Sequence, residues 1–107
     1  MKLITAIVNK DDSSAVQRGL TSEGYSVTRT ASTGGFLLAG NVTFILAVDD
    51  DKVDHAIEII ASQSKQRKQI VPSSAAYGAM IDTSIPVEVT VGGATIIVQE
   101  IVRFEKH

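Results

Sequence analysis

Two segments of this chain repeat one pattern, in which an apolar run ends at acidic residues and continues as a helix. The run Leu3–Val8 leads into NKDDSSAV, and the run Asn41–Val48 leads into DDDKVDHAI. Short apolar runs rich in β-branched residues are typical of buried strands, and acidic residues favour a helix start because they complement the helix dipole. The repeat therefore predicts two βαβ halves within one small domain.

The helices follow from end signals and from apolar spacing. Ser14 is followed three residues later by Gln17, as in a capping box, and Gly24 stands where a residue with positive φ would end the helix. These signals predict a first helix over residues 13–23. Asp49-Asp50-Asp51 offers an N-cap for the second helix. The apolar residues of that helix recur at helical spacing: Val53, Ala56, Ile57, Ile60 and Ala61.

The remaining regular segments are predicted to be strands. Residues 25–32 alternate in polarity, which places Thr28 on the polar face of a strand. The dipeptide Gly92-Gly93 separates the β-branched runs 87–91 and 94–102 and favours a two-residue hairpin turn. The whole order predicts an α+β, ferredoxin-like βαββαβ fold with an extra hairpin strand, in which both helices cover one face of an antiparallel sheet.

The second face of that sheet needs a cover. The last strand carries apolar side chains toward both faces, and the two helices reach only one of them. A second copy of the same sheet is the simplest cover, which predicts a homo-oligomer with clefts between neighbouring subunits. The apolar residues behind this expectation are Ile96, Ile97, Val98, Ile101 and Val102.

Residues 64–85 contain no regular period, because Pro72, paired serines and Gly78 interrupt them. Loops of this length are uncommon in small domains unless they contact a ligand or a partner. The segment is therefore predicted to be a long functional loop. Two interpretations of its central residues, Tyr77, Gly78 and Met80, stay open: a mobile lid over a site, or a tip with no role.

Composition excludes several classes of function. Twelve acidic and ten basic residues give a net charge of −2, which offers no overall positive field for a nucleic-acid polymer. With no Cys and only His55 and His107, the sequence predicts neither thiolate chemistry, nor a metal centre, nor a cofactor. The apolar runs are too short for a signal peptide core or a membrane helix, so we expect a cytoplasmic protein without membrane insertion.

The glycine-rich segment between Ser32 and Asn41 carries the strongest functional signal. Its glycines allow the backbone to approach a ligand, Phe36 can stack on a base, and Asn41 offers the donor and acceptor pair that suits an adenine edge. The alternative is a plain hairpin loop with Phe36 folded into the core. Spacing alone leaves both interpretations open.

Three strings together resemble a known family. TASTGGFLLAGNVTF, the opening KLITAIV and the later IPVEVTVGGATIIV are similar to the cyclic di-AMP receptors of the PII-like superfamily, nearly from end to end. The resemblance implies a single PII-like domain over residues 1–107 that forms a homotrimer. It also implies a noncatalytic signal transduction protein that binds cyclic di-AMP at the trimer interfaces, changes loop conformation, and so acts on a downstream protein.

The resemblance also implies which residues bind the ligand. The matching positions are Ser26, Thr28, Gly35, Phe36, Leu37, Asn41 and Ala47. Family members that bind the dinucleotide carry Arg where this chain has Ser26, and an Arg is common where it has Leu38. Losing a guanidinium removes a charge-assisted phosphate contact worth roughly 1.5–3 kcal/mol. Arg29 lies on the opposite face of its strand, while Lys106 is a candidate cation if the C-terminal tail folds over the pocket.

Three alternative functions remain beside this one. Other PII-like proteins bind ATP, ADP or AMP at equivalent clefts, so an adenine mononucleotide is the first alternative ligand. A hydrolase of the acylphosphatase type would need an Arg in a phosphate-binding loop, which the glycine-rich segment lacks. An RNA-recognition module would need several aromatic residues on its central strands, where this chain has only Phe44.

Other polar residues have structural explanations. Asp49, Asp50, Asp51 and Asp54 lack the spacing of a calcium loop and suit a helix start. Three cations are interpreted as a solvated face where the second helix ends, with phosphate or partner contact as the alternative: Lys65, Arg67 and Lys68. His55 lies beside the apolar stripe of its helix and is predicted to be a surface residue.

Overall fold

The computed structural model describes residues 1–32, 40–72 and 86–107. Within these ranges the chain forms six strands, two α-helices and one 3-10 turn. The strands and helices, in chain order, are β1 (Lys2–Asn9), α1 (Lys10–Ser22), β2 (Thr28–Ser32), β3 (Asn41–Val48), α2 (Val53–Gln63), β4 (Arg67–Pro72), β5 (Pro86–Val91) and β6 (Ala94–Glu100).

Four strands form one antiparallel sheet in the order β2-β3-β1-β6. α1 connects β1 to β2 in sequence, yet β3 lies between these two strands, which is the split βαβ arrangement. β6 pairs with the free edge of β1. An antiparallel sheet with two helices confirms the predicted α+β class and is compatible with a ferredoxin-like fold.

The core lies between the sheet and the helices. Alternate residues of β1 and β3 are buried, and both helices pack residues against them. The helices also approach each other closely, because a Cβ on Gly19 would lie 2.8 Å from Cγ2 of Ile59. The residues with no more than 2% exposure that form most of this core are Ile4, Ala6, Val8, Val16, Leu20, Val42, Phe44, Leu46, Ala56 and Ile60.

α1 begins earlier than predicted. It spans Lys10–Ser22, and its N-cap is Asn9, whose Oδ1 accepts a hydrogen bond from the backbone N–H of Asp11 at 2.8 Å. The predicted capping box at Ser14 is therefore wrong, because Asn9 already caps the helix directly after β1. The predicted end is confirmed: Gly24 follows the helix with φ +87°.

α2 also starts differently from the prediction. A 3-10 turn over Asp50–Lys52 precedes it, and no side-chain hydrogen bond caps either element. The acidic residues therefore act through charge near the helix start rather than as an N-cap. The apolar stripe is confirmed at Ala56 and Ile60, which are fully buried. In the described part of the chain, no helix is long and apolar enough to cross a membrane.

The predicted pairing of the extra hairpin strand is wrong. β5 pairs with β4 in a separate two-stranded sheet, while β6 pairs with β1, so no hairpin joins β5 to β6. Gly92 and Gly93 do have positive φ, at +83° and +80°, but they bend the chain from one sheet into the other. We call the β4–β5 pair, residues 67–72 and 86–91, the arm.

β4 itself replaces part of the predicted long loop. The sequence predicts a loop here, because Pro72 and the following serines interrupt any regular alternation of polar and apolar residues. A strand without such alternation depends on pairing with its partner strand. Arg67 pairs with Val91 and Lys68 with Thr90 across the arm, and Lys68 Nζ lies 3.2 Å from Glu88 Oε1. The cations predicted to face solvent at a helix end therefore lie partly within a strand.

The second face of the four-stranded sheet carries no described helix. We call it the open face. It is mixed in chemistry, with partly exposed apolar residues beside hydroxyl and amide side chains. β6 places Ile97 on this face and Ile96 and Val98 on the other, as predicted, but it ends at Glu100, so Ile101 and Val102 lie outside the strand. By the strand registers its residues are Leu3, Thr5, Ile7, Asn9, Thr28, Thr30, Asn41, Thr43, Ile45, Ala47, Thr95, Ile97 and Gln99.

Candidate functional site

Strands β2 and β3 bring two predicted ligand residues together on the open face. Thr28 pairs with Ile45, and Ala47 follows Ile45 by two residues on β3. Residues two apart on a strand share a face, and diagonal neighbours across an antiparallel pair lie about 7–8 Å apart. Thr28 is exposed and Ala47 is half-buried, so both can contact a molecule that lies on this face.

Asn41 lies at the other end of the same strand. It begins β3, pairs with Ser32 on one side and with Asn9 on the other, and has an exposed side chain. Four residues of strand separate it from Ile45, a distance of about 13 Å. The structure therefore does not bring Asn41 to Thr28, and the hydroxyls of Thr30 and Thr43 lie between them.

The position of Asn41 is fixed by the start of α1. The backbone N–H of Lys10 donates to the carbonyl oxygen of Gly40 at 3.0 Å, directly before β3 begins. Asn9, the strand partner of Asn41, is also the N-cap of α1. The start of β3 and the first turn of α1 are therefore joined both by strand pairing and by a loop hydrogen bond.

Ser26 precedes β2 and is exposed, and its neighbour Tyr25 holds this segment in place. A hydrogen bond of 2.7 Å joins Tyr25 Oη to His55 Nδ1, and the two rings lie 5.7 Å apart between centroids. The same hydroxyl donates to the carbonyl oxygen of Lys52 at 3.4 Å. The prediction of His55 as a surface residue is confirmed, but its contact with Tyr25 was not foreseen.

Arg29 is directed away from the open face, as predicted. Its Nη1 donates to Oε1 of Gln17 at 2.9 Å, and its Nη2 donates to Oγ of Ser13 at 3.1 Å. Ser13 is 1% exposed and donates its own hydroxyl proton to the carbonyl of Lys10. Arg29 therefore joins β2 to α1 and is not a cation of the open face.

Three acidic residues, Asp49, Asp50 and Asp51, follow the end of β3 directly after Ala47 and Val48. The amino group of Met1 lies 2.8 Å from Oδ1 of Asp50, and this hydrogen bond holds the pKa of Asp50 below its usual value. Among residues 1–32, 40–72 and 86–107, no three Asp, Glu or His side chains lie close enough together to hold a metal ion. β6 ends beside Lys2, so the tail with the candidate cation Lys106 also begins at this end.

Several predicted residues lie outside the described ranges. They are the ligand positions Gly35, Phe36 and Leu37, the neighbouring Leu38, and the loop residues Tyr77, Gly78 and Met80. The candidate site is therefore described at Ser26, Thr28, Asn41 and Ala47. Of these, Thr28, Asn41 and Ala47 lie on the open face along β2 and β3, and Ser26 precedes β2.

One polar contact was missed by the sequence analysis. Arg67, assigned to a solvated face, begins β4, and its Nη1 lies 3.2 Å from the carboxylate of Asp12 in α1. The two residues are 55 positions apart, so no local pattern links them. A local signal that could have indicated β4 is the Ile70-Val71 pair, because adjacent β-branched residues are typical of a strand.

Comparison with known proteins places the chain in a family. A family model described as Cyclic-di-AMP receptor matches residues 1–107. The chain is also similar to a crystal structure of a functionally unknown protein from Pediococcus pentosaceus ATCC 25745, with 30% sequence identity and a TM-score of 0.75. That similarity covers 99% of this chain and 96% of the other. The family supports a protein that binds cyclic di-AMP in signalling, and this chain belongs to the cyclic-di-AMP receptor family.

Proposed function

We propose that this protein is a noncatalytic, PII-like receptor that binds cyclic di-AMP on its open face, between copies of a homotrimer, and signals to a downstream protein. Its ligand contacts are Ser26, Thr28, Gly35, Phe36, Leu37, Asn41 and Ala47. The observation that carries the proposal is the match of the whole chain to the receptor family, together with a sheet face that the chain's own helices leave uncovered.

The chemistry of the open face suits a purine nucleotide. The exposed hydroxyls of Thr28 and Thr30 lie beside the partly exposed Ile45, so polar and apolar groups alternate over a short distance. A purine needs an apolar surface for its ring and a few donors and acceptors at its edge. Asn41 supplies both a donor and an acceptor at one end of this surface.

The same face favours association of copies. Ile45 is 38% exposed and Ile97 is 45% exposed, and Ile45 lies on β3, whose other side is buried in the core. Covering such residues by another chain removes apolar area from water, which stabilises by about 25 cal/mol per Å². A trimer that buries this face would leave ligand crevices at its rim, where Thr28 and Ala47 lie.

The position of Arg29 bears on which nucleotide the site would bind. Arg29 is engaged by Gln17 and Ser13 on the helix side, so it does not replace the Arg that the family carries at Ser26. Phosphate contact then depends on hydroxyl and backbone donors, which are weaker than charge-assisted ones. This favours modest affinity for cyclic di-AMP and keeps ATP, ADP or AMP as the second candidate ligand.

The proposal is tested by calorimetric titration of the protein with cyclic di-AMP, ATP and AMP. We expect saturable binding of cyclic di-AMP with one ligand per subunit. Asn41→Ala and Phe36→Ala should each weaken this binding by at least about tenfold, which corresponds to about 1.4 kcal/mol. A higher affinity for a mononucleotide than for cyclic di-AMP would replace the first ligand by the second.

A matched control keeps this test specific to the site. Gln17→Ala removes an amide from α1, where Oε1 of Gln17 accepts a hydrogen bond from Arg29 on the helix side of β2. We expect it to destabilise the protein by about 1 kcal/mol, because it removes this hydrogen bond, while ligand affinity changes far less than in Asn41→Ala. Unchanged binding in both Asn41→Ala and Phe36→Ala would contradict the proposed site.

A further inference from the structure

We infer that Asp12 and Arg67 form a positioning pair that couples the arm to the ligand end of β3. The inference rests on the proposed function, since it concerns how a nucleotide at Asn41 affects the arm. It goes beyond that function because neither residue belongs to the predicted ligand site. The argument passes from Asn41 to α1, and from α1 to the arm.

The ligand side of the connection is built from backbone. Asn41 pairs with Asn9, and the N–H of Lys10 donates to Gly40 O at 3.0 Å. Asn9 Oδ1 in turn accepts from the N–H of Asp11 at 2.8 Å. A displacement of the chain at Gly40 and Asn41 therefore moves the first turn of α1, which includes Asp12.

The arm side of the connection is an ion pair. Nη1 of Arg67 lies 3.2 Å from each carboxylate oxygen of Asp12, and it donates to Lys65 O at 3.3 Å. The Asp12 side chain is 12% exposed, whereas that of Arg67 is 44% exposed. The carboxylate is therefore largely enclosed, and the first residue of β4 is held against it.

The bend between the arm and β6 is packed against the same guanidinium. A Cβ on Gly92 would lie 2.5 Å from Lys65 O and 2.7 Å from Arg67 Nη1, and a Cβ on Gly93 would lie 2.8 Å from Gln66 Cγ. The entry to the arm before β4 and the exit after β5 therefore meet at one place. A shift of Arg67 must move both ends of the arm together.

One nitrogen of Arg67, Nη1, makes both of these contacts, to the Asp12 carboxylate on α1 and to the carbonyl oxygen of Lys65 on its own chain segment. Lys68, the next cation of β4, pairs instead with Glu88 across the arm at 3.2 Å. Lys68 therefore offers a matched control on the same strand.

The test is hydrogen exchange of peptides that cover 67–72 and 86–91, measured with and without cyclic di-AMP. In the ligand-free protein, Asp12→Asn and Arg67→Gln should each raise arm exchange about three- to fivefold, with little change in β1 and β3. The doubly substituted protein with Asp12→Arg and Arg67→Asp should restore much of the protection. Lys68→Gln should not alter the response of the arm to nucleotide.

The measurements with cyclic di-AMP test the coupling. In the unsubstituted protein, saturating cyclic di-AMP should change exchange in 67–72 and 86–91, and Arg67→Gln should bind with affinity within about threefold while losing that change. Ligand-free exchange that is the same in Asp12→Asn, Arg67→Gln and the unsubstituted protein would overturn the inference. If the unsubstituted protein binds no cyclic di-AMP, the proposed function fails together with nucleotide control of the arm, whereas ligand-free exchange still decides the attachment.

Discussion

The two faces of the four-stranded sheet are built from alternate residues of the same strands, yet they differ in burial and in chemistry. On β1, Ile4, Ala6 and Val8 are at most 1% exposed, while Thr5 and Ile7, which point the other way, are only half-buried. The helix face is apolar along β1 and β3 except for Lys2 at the start of β1, and the open face mixes threonine with isoleucine. The helix face stabilises the single chain, and the open face is the one to which the proposed function assigns the ligand and the other copies.

Because the two faces differ in this way, substitutions on one face and on the other are expected to change different properties, stability or binding. A helix-face substitution acts within one chain, because its neighbours belong to α1 and α2. Under the proposed function, an open-face substitution acts on ligand binding or on association of copies, because the described helices pack against the other face. Pairs of adjacent residues on one strand therefore make matched variants with opposite expected effects.

The largest expected effect is loss of stability in Phe44→Ala. Phe44 is the largest fully buried side chain among the described residues, so its truncation leaves a cavity and should cost about 3–5 kcal/mol of unfolding free energy. Urea denaturation followed by circular dichroism measures this. Ile45→Ala is the adjacent control and should cost about 1 kcal/mol in one chain.

The Ile45→Ala control also sharpens the comparison of faces. Its cost should grow with protein concentration, because association of copies buries Ile45 only in the assembled state. The cost of Phe44→Ala should not depend on concentration in this way. Equal, concentration-independent costs for the two variants would show that the faces do not differ as described.

A smaller effect is expected on assembly. Ile97→Lys places a charge on the open face of an edge strand, and burying it against another copy would leave the ammonium without a partner. Sedimentation velocity should show a shift from trimer toward monomer. Val98→Lys is the control, since Val98 lies on the other face and is 40% exposed, and it should leave the assembly intact. Identical sedimentation of the two variants would contradict the assignment of the interface.

The smallest expected effects come from a neighbouring pair on β2. Thr28→Val keeps the shape of the side chain but removes its hydroxyl, so cyclic di-AMP affinity should fall about fivefold with unchanged stability. Arg29→Met removes two hydrogen bonds to α1 and should cost about 1 kcal/mol of stability with unchanged affinity. Calorimetry measures the ligand affinity of both variants, and urea denaturation measures their stability. A loss of affinity in Arg29→Met would contradict the expected division between the two variants.

Local sequence signals predicted most of the four-stranded sheet. The runs at β1 and β3, the apolar stripe of α2 and the positive φ of Gly24 are determined by residues close in the chain, so a single sequence carries them. The start of α1 was mispredicted because the Ser14–Gln17 spacing fits a capping box, whereas the observed N-cap is Asn9 at the end of β1. Only the position at which β1 ends selects Asn9.

The arm and its attachment were beyond local reasoning. β4 exists through its pairing with β5, and the Gly92-Gly93 bend fits a hairpin as well as it fits a crossing between sheets. The Asp12–Arg67 contact joins α1 to β4 across 55 positions. For the ligand site, the family strings indicated residues that the local chemistry alone left undecided.

Native mass spectrometry of the protein with cyclic di-AMP tests the central claim most directly, because it measures assembly and ligand stoichiometry in one spectrum. The account predicts a trimer that takes up nucleotide in steps to one per subunit, with Ile97→Lys reducing both the trimer and the bound nucleotide. A monomer that binds no nucleotide at saturating concentration, or a trimer whose open face excludes it, would contradict the account.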